Sequence, residues 1–290
     1  MNTWKESGKV CTTYVRVLLT NKFIMNHNLP TEDELLLFNT QGYLVVNDFL
    51  PPDLVSRLLI CLENTIRDRK KGDFDGAFRK ETLYPHGITK ISGKNARIFH
   101  ILNDNELFLD MLDYPPLMPY LHSFLSESPH FHASDAIWEL EPGRDNPEWH
   151  RDGVGDGFST FSPNIPLLQI KVGYLLSDMT KPDQGNLTLV PGSHTTTLDL
   201  TDTQKARFDS LPGAIQICEP AGTMIMFHNA IWHTSGPWRV KEGKRIMLYY
   251  AYEHNWMMAS PEHAFYRGTF YRNLSAERQQ MFHDFVVDLP

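Results

Sequence analysis

The chain has 290 residues, 41% of them hydrophobic and 21% charged, with a formal net charge of -8. That length can bury a sizeable core, and the composition is that of a globular chain. The acidic balance argues against nucleic acid or an anionic membrane surface as partner. Three cysteines, Cys11, Cys61 and Cys218, are too few and too scattered for a disulfide framework or a zinc spacing, and they suit a reducing compartment. No apolar run approaches the length of a membrane span.

Residues 1–28 carry Lys5, Lys9, Arg16 and Lys22 against Glu6, with the charge-broken stretch Val15 to Leu19. They read as an N-terminal extension, disordered or organelle-targeting, or as a segment preceding a start at Met25. A cytoplasmic location is the expectation. Asn186-Leu187-Thr188 fits a glycosylation sequon, but nothing else implies secretion.

Thr31 and Glu34 form a capping-box pattern, so a helix starts there and ends at Gly42. Tyr43 to Val46 reads as a strand. Pro51-Pro52 opens a second helix with Leu54, Leu58, Leu62 and Ile66 as its buried stripe. Its basic end, Arg67, Arg69, Lys70 and Lys71, has two readings, an aid to binding an anionic substrate and, favoured, a solvated helix C-terminus stabilised by the dipole. Residues 72–95 look like a long surface loop with short strands, Arg97 to Leu102 like a strand, and 105–126 like helix broken at Pro115-Pro116.

From about residue 130 the pattern changes to short strands. Candidates are Phe131–Leu140, Leu167–Leu176, Leu187–Val190, Ala214–Cys218, Thr223–Phe227 and Ile246–Tyr252. Pro142-Gly143, Pro191-Gly192, Pro212-Gly213 and Gly236-Pro237 punctuate them. This spacing predicts a sandwich or jelly roll. A helical N-terminal third packed on it makes an α+β chain with a mainly β core, in which residues 29–290 form one domain.

His150-Arg151-Asp152 places an imidazole and a carboxylate two apart, hence on one face of an extended segment. With a further histidine, such a set can hold one face of an iron(II) ion and leave the opposite face open. In a chain with 13 histidines an H-x-D triplet arises by chance, so context decides its meaning.

That context comes in order. Phe38 leads through Gly42-Tyr43-Leu44-Val45-Val46 to Phe49-Leu50. Trp149-His150-Arg151-Asp152 follows. Next comes Leu176-Ser177-Asp178-Met179-Thr180, running into Gln184-Gly185-Asn186-Leu187 and Pro191-Gly192-Ser193-His194. Ala221-Gly222-Thr223 then leads to Trp232-His233-Thr234-Ser235, and Arg245 opens the last strand. Over residues 30–255 the chain resembles the phytanoyl-CoA dioxygenase family of iron(II)- and 2-oxoglutarate-dependent oxygenases.

The resemblance implies a double-stranded β-helix, a cupin-type jelly roll, with the metal at its mouth. His150, Asp152 and His233 would be the iron ligands and catalytic residues. Arg245 would hold the distal carboxylate of 2-oxoglutarate through its planar fork. Ser235 would add a hydrogen bond. Arg97 matches the place of a basic residue at the cosubstrate's other end, where the family more often has lysine; alternatively it is a surface arginine. His228 competes with His233, but the Trp-His-Thr-Ser context and the distance to Arg245 favour His233. His194 serves a turn, and His130 and His132 read as strand residues. Gly173 replaces a bulky aromatic of many relatives, which would open room. Gln169 and Lys171 share its strand face and line the cavity, unless Lys171 points outward to solvent.

The implied reaction consumes oxygen and 2-oxoglutarate, releases succinate and carbon dioxide, and hydroxylates an unactivated C–H bond of a small organic molecule. Asp152 disfavours halogenation, since halogenases of this type have a small residue there. Desaturation, epimerisation or protein hydroxylation are alternatives within the chemistry, and a non-catalytic cupin-like binding protein is the alternative outside it. Loops 153–166, 72–95 and 255–270 are expected to set substrate choice.

Overall fold

The computed structural model describes residues 29–71, 89–142, 148–152, 165–196, 199–207, 211–257 and 268–282. The expected N-terminal extension and most of the three expected substrate loops lie outside them.

Helix α1 (Glu32–Gln41) begins with the capping box: Thr31 Oγ1 accepts the Glu34 N–H, and Glu34 accepts the Thr31 N–H. It stops at Gly42, whose φ of 79° suits a residue without a Cβ. A Cβ there would also meet His194 Nδ1 at 2.5 Å, so glycine is required twice over. Strand β1 (Tyr43–Val46) follows, then α2 (Pro52–Lys71). Leu54, Leu58 and Leu62 are buried along one side of α2, with Ile66 packed against the same core.

The basic end of α2 is not all solvated. The Arg69 side chain is 1% exposed and paired with Asp104, and Nη2 donates to Phe99 O at 2.9 Å. Local sequence cannot distinguish a cation that caps solvent from one that locks α2 to a distant turn. Strands β2 (Thr89–Ser92) and β3 (Asn95–Phe99) form a hairpin. The expected strand through Leu102 stops at Phe99. His100 takes a left-handed φ of 54°, and Ile101–Asn103 turn as a 3-10 helix. Ser134 binds this corner by accepting the N–H groups of His100 at 2.7 Å and Ile101 at 3.1 Å. Helices α3 (Glu106–Asp110) and α4 (Met118–Phe124) flank the expected proline break.

The remaining strands are β4 (His130–Glu139), β5 (Gln169–Leu175), β6 (Leu187–Leu189), β7 (Ile215–Gln216), β8 (Met224–His228), β9 (His233–Ser235) and β10 (Arg245–Glu253). Short helices α5 (Asp202–Lys205), α6 (Gly268–Arg272) and α7 (Ala276–Gln279) complete the described elements. A seven-stranded sheet runs β1-β8-β5-β10-β4-β3-β2, and a three-stranded sheet runs β7-β6-β9. All the pairings are antiparallel. This is the jelly roll that the strand pattern predicts.

Alternation along β10 assigns the two faces. Ile246, Leu248, Tyr250 and Tyr252 pack on the helices with Phe38, Leu58 and Phe108. Tyr250 and Tyr252 donate their hydroxyls to Phe108 O at 2.7 Å and Leu112 O at 2.8 Å, so neither buried oxygen is stranded. Met247 and Tyr249 face inward and pack with Leu187 and Leu189 of the smaller sheet. Full burial of each large apolar side chain contributes roughly 1.5–3 kcal/mol. The sequon Asn186 is 0% exposed and donates to Met179 O and Ile217 O, so its amide is a brace of the fold.

His228 lies on the helix-facing side of β8, its ring 6.5 Å from Phe38 and 4.9 Å from His194. Nδ1 accepts the Ala230 N–H at 2.9 Å, which requires the unprotonated nitrogen. Burial, with a smaller push from His194, lowers its pKa to about 3. The unfolded chain takes up this proton near the ordinary histidine value, while the folded chain resists until about pH 3. Stability present above the ordinary value is therefore lost as pH falls through that window. His228→Asn keeps an acceptor for Ala230 and should flatten this loss, by on the order of 1–2 kcal/mol between about pH 7.5 and about pH 4.5. Urea midpoints at the two pH values measure it; equal acid sensitivity would refute the assignment.

Candidate metal centre

His150 and His233 are direct neighbours. Each donates its backbone N–H to the other's carbonyl at 3.0 Å, so His150 extends the smaller sheet beside β9. The second histidine thus comes from the adjacent, hydrogen-bonded segment. Asp152 is held by its N–H, which donates to Asn229 O at 2.9 Å. The ligand atoms of His150, Asp152 and His233 all lie within 4.8 Å of one another.

Both imidazoles are oriented in the same way. His150 Nδ1 lies 2.8 Å from Glu148 O, and His233 Nδ1 lies 3.0 Å from Ile231 O. A carbonyl accepts only from a protonated nitrogen, so each Nδ1 carries hydrogen, and in the neutral ring the lone pair is then on Nε2. Those Nε2 atoms face the carboxylate, 3.9 Å from Asp152 Oδ1 and 3.7 Å from Oδ2 respectively. Burial, helped by His150, pushes the His233 pKa down to about 3, so it stays neutral and able to ligate. Burial alone would raise the Asp152 carboxyl; the Lys171 ammonium outweighs it, with the histidines, and holds it well below the usual carboxylate range. Asp152 Oδ2 is buried and makes no hydrogen bond. Two imidazoles whose Nε2 atoms converge on one carboxylate fit a divalent transition metal such as iron.

The inner face of the large sheet carries charge beside this cluster. Lys171 Nζ is 3.5 Å from Asp152 Oδ2 and 5.2 Å from the Tyr249 ring centre. Burial opposes its charge, but Asp152 and Asp135 overcome it and raise the Lys171 pKa. The cavity-facing reading of Lys171 is therefore the one found. Gln169, on the same face, bonds with His132 and Glu253. Gly173 does not open room: a Cβ there would meet Tyr249 Cε1 at 2.8 Å. The register sets Tyr249 directly opposite Gly173, so a neighbouring strand supplies an aromatic ring where this strand has none.

Arg245 opens β10 and is 1% exposed. Nη1 donates to Glu139 Oε2 at 3.2 Å, while Nε is buried without a hydrogen-bond partner. An unfilled, rigidly held N–H on an arginine is what a carboxylate of a bound acid can take. Ser235 lies two residues beyond His233 on β9 and is buried. Arg97 on β3 is exposed; Nε and Nη2 donate to Asp135 Oδ2 at 3.2 and 3.0 Å, and the guanidinium stacks over Phe99. Asp135, chiefly, raises its pKa. Sequence reasoning did not single out Glu139 and Asp135. Their signal was present, since acids at i and i+4 of a strand share a face.

A phytanoyl-CoA dioxygenase family model matches residues 38–246, well over half of the chain. No curated protein matches it by sequence. Among solved structures, the chain is similar to HygX from Streptomyces hygroscopicus with nickel and 2-oxoglutarate bound. The identity is 16% and the TM-score 0.60, over 79% of this chain and 89% of that one. It is similar to EctD from S. alaskensis with bound Fe at 19% identity and a TM-score of 0.62, over 78% of this chain and 77% of that one. The epimerase SnoN, in complex with Fe3+, alpha ketoglutarate and nogalamycin RO, matches at 17% identity and a TM-score of 0.53, over 77% of this chain and 83% of that one. At these identities the solved structures speak for the jelly roll; the family match joins that fold to the histidine and carboxylate cluster at its mouth, and the chain belongs to the phytanoyl-CoA dioxygenase family of iron- and 2-oxoglutarate-dependent non-haem dioxygenases.

Proposed function

We propose that this protein hydroxylates an unactivated C–H bond of a small polar organic molecule, with residues 29–290 acting as one oxygenase domain. The observation that carries the reading is the pair of histidines locked by their Nδ1 hydrogens with both Nε2 atoms facing Asp152. Bound iron(II), with 2-oxoglutarate and oxygen, supplies the oxidising chemistry and releases succinate and carbon dioxide. The protein's part is orientation. His150, Asp152 and His233 would hold one face of the ion. Arg245, with Ser235, would hold the far carboxylate of the cosubstrate; Met247 and Leu187, which pairs with Ser235, are buried in the apolar core. Arg97 is paired with Asp135 at 3.0 Å.

The polar inner face, with Gln169, Lys171, His132 and Glu253, supports a substrate that offers hydrogen-bonding groups. Solved relatives bear the same character: HygX is described with hygromycin B bound, and EctD with 5-hydroxyectoine. Among the described residues no helix is long and apolar enough to cross a membrane.

The test is anaerobic titration of the protein with iron(II) and 2-oxoglutarate, followed by oxygen. The expected result is a weak visible charge-transfer band that decays as succinate forms. Iron-loaded, folded protein with no band and no succinate would make this a binding protein instead. Product mass then separates hydroxylation from desaturation and epimerisation.

A further inference from the structure

Resting on that reading, we propose that Lys171 anchors the metal-chelating carboxylate of the 2-oxo acid, and that it holds Asp152 in the metal-free protein. The three cations of the inner face are not equivalent. Arg97 faces Asp135 and Arg245 faces Glu139, and neither of those acids is a metal ligand. Lys171 alone of the three is paired with a residue of the metal cluster, Asp152, at 3.5 Å.

When Asp152 turns to a divalent ion, its charge is taken by the ion. Lys171 is then left as a partly buried cation beside another positive charge, with Asp135, already paired with Arg97, as the remaining acid named near it. Such a group requires an anion. The Tyr249 ring, packed over Gly173, stands 5.2 Å from Nζ on one side. The 2-oxo acid brings two carboxylates to this pocket. Arg245 is placed for one, and Lys171 lies beside the cluster where the other must chelate. Lys171 would thus delay metal binding in the absence of cosubstrate and strengthen cosubstrate binding in the presence of metal.

These roles predict effects of opposite sign in Lys171→Met. Manganese(II) alone should bind about tenfold more tightly than to the unaltered protein, because the competing cation is gone. On the anaerobic iron(II) protein, 2-oxoglutarate should bind about tenfold more weakly by its visible band. Pyruvate, which keeps the chelating end and lacks the far carboxylate, should weaken by the same factor. Lys171→Arg should restore most of the cosubstrate affinity. Weaker manganese binding in Lys171→Met would mean that the lysine merely orients Asp152, and would overturn the proposal. So would unchanged affinity for both 2-oxo acids, which would give Lys171 to the primary substrate. Absence of any band in the unaltered protein is a separate failure, that of the functional reading itself.

Discussion

Asp152→Ala should leave the protein folded but unable to hold iron, with succinate formation abolished. Asp152 supplies the only negative charge among the three clustered ligands. Loss of an outer-shell partner already costs about 10–100-fold in metal affinity, so loss of this ligand should exceed about 100-fold. The backbone of the site should survive, since His150 and His233 are held by paired backbone hydrogen bonds and not by the carboxylate. Asp152→Asn, equal in size and without the charge, should lie near Asp152→Ala in iron content. Bound iron per chain, succinate yield and a thermal melt on each variant are the measurements. Full iron occupancy in Asp152→Ala would remove this cluster as the metal centre. His228→Ala, on the helix-facing side of β8, should keep its iron and substantial activity; a loss equal to that of Asp152→Ala would reopen the choice of second histidine.

The second large effect is at Arg245, where stability and binding must be separated. Arg245→Met should lose 2-oxoglutarate affinity by roughly 100-fold, the loss expected for a charge-assisted pair. It should also destabilise the fold, because Glu139, with a 9% exposed side chain, loses the guanidinium paired with it. Breaking a buried pair costs about 3–5 kcal/mol, or about 5–10 °C in Tm for a chain of this size. Replacing both partners by apolar groups, Arg245→Met with Glu139→Leu, should recover most of that stability. It should not recover cosubstrate binding. A double variant that regains both would show that Arg245 only neutralises Glu139 and does not touch the acid.

The helices before residue 130 and most strands of the large sheet were legible from local pattern, whereas the short helices α5, α6 and α7 were not expected. The Thr31 capping box, the Gly42 stop and the Leu54-Leu58-Leu62 stripe depend on residues within one or two turns, and all three stand as expected. The break at Pro115-Pro116 is equally local. The exceptions involve partners far along the chain. Arg69 is buried because Asp104 receives it, and the strand from Asn95 ends at Phe99 because Ser134 binds the turn at His100.

The cluster of His150, Asp152 and His233 was legible for a related reason. His150 and Asp152 lie two apart, and His233 sits in a motif whose spacing to Arg245 matches a family. Sequence by itself therefore determined the jelly-roll class, the three candidate ligands and the arginine at the start of the last strand. Register decided the rest. Only the pairing of β5 with β10 sets Tyr249 into the space at Gly173, and only the pairing of β10 with β4 places Glu139 against Arg245. Lys171 faces Asp152 by the same means, since β5 runs between β8 and β10. Alternation tells which residues share a face of one strand. Which side chains then meet across strands is set by hydrogen-bond register and burial, which are properties of the assembled sheets.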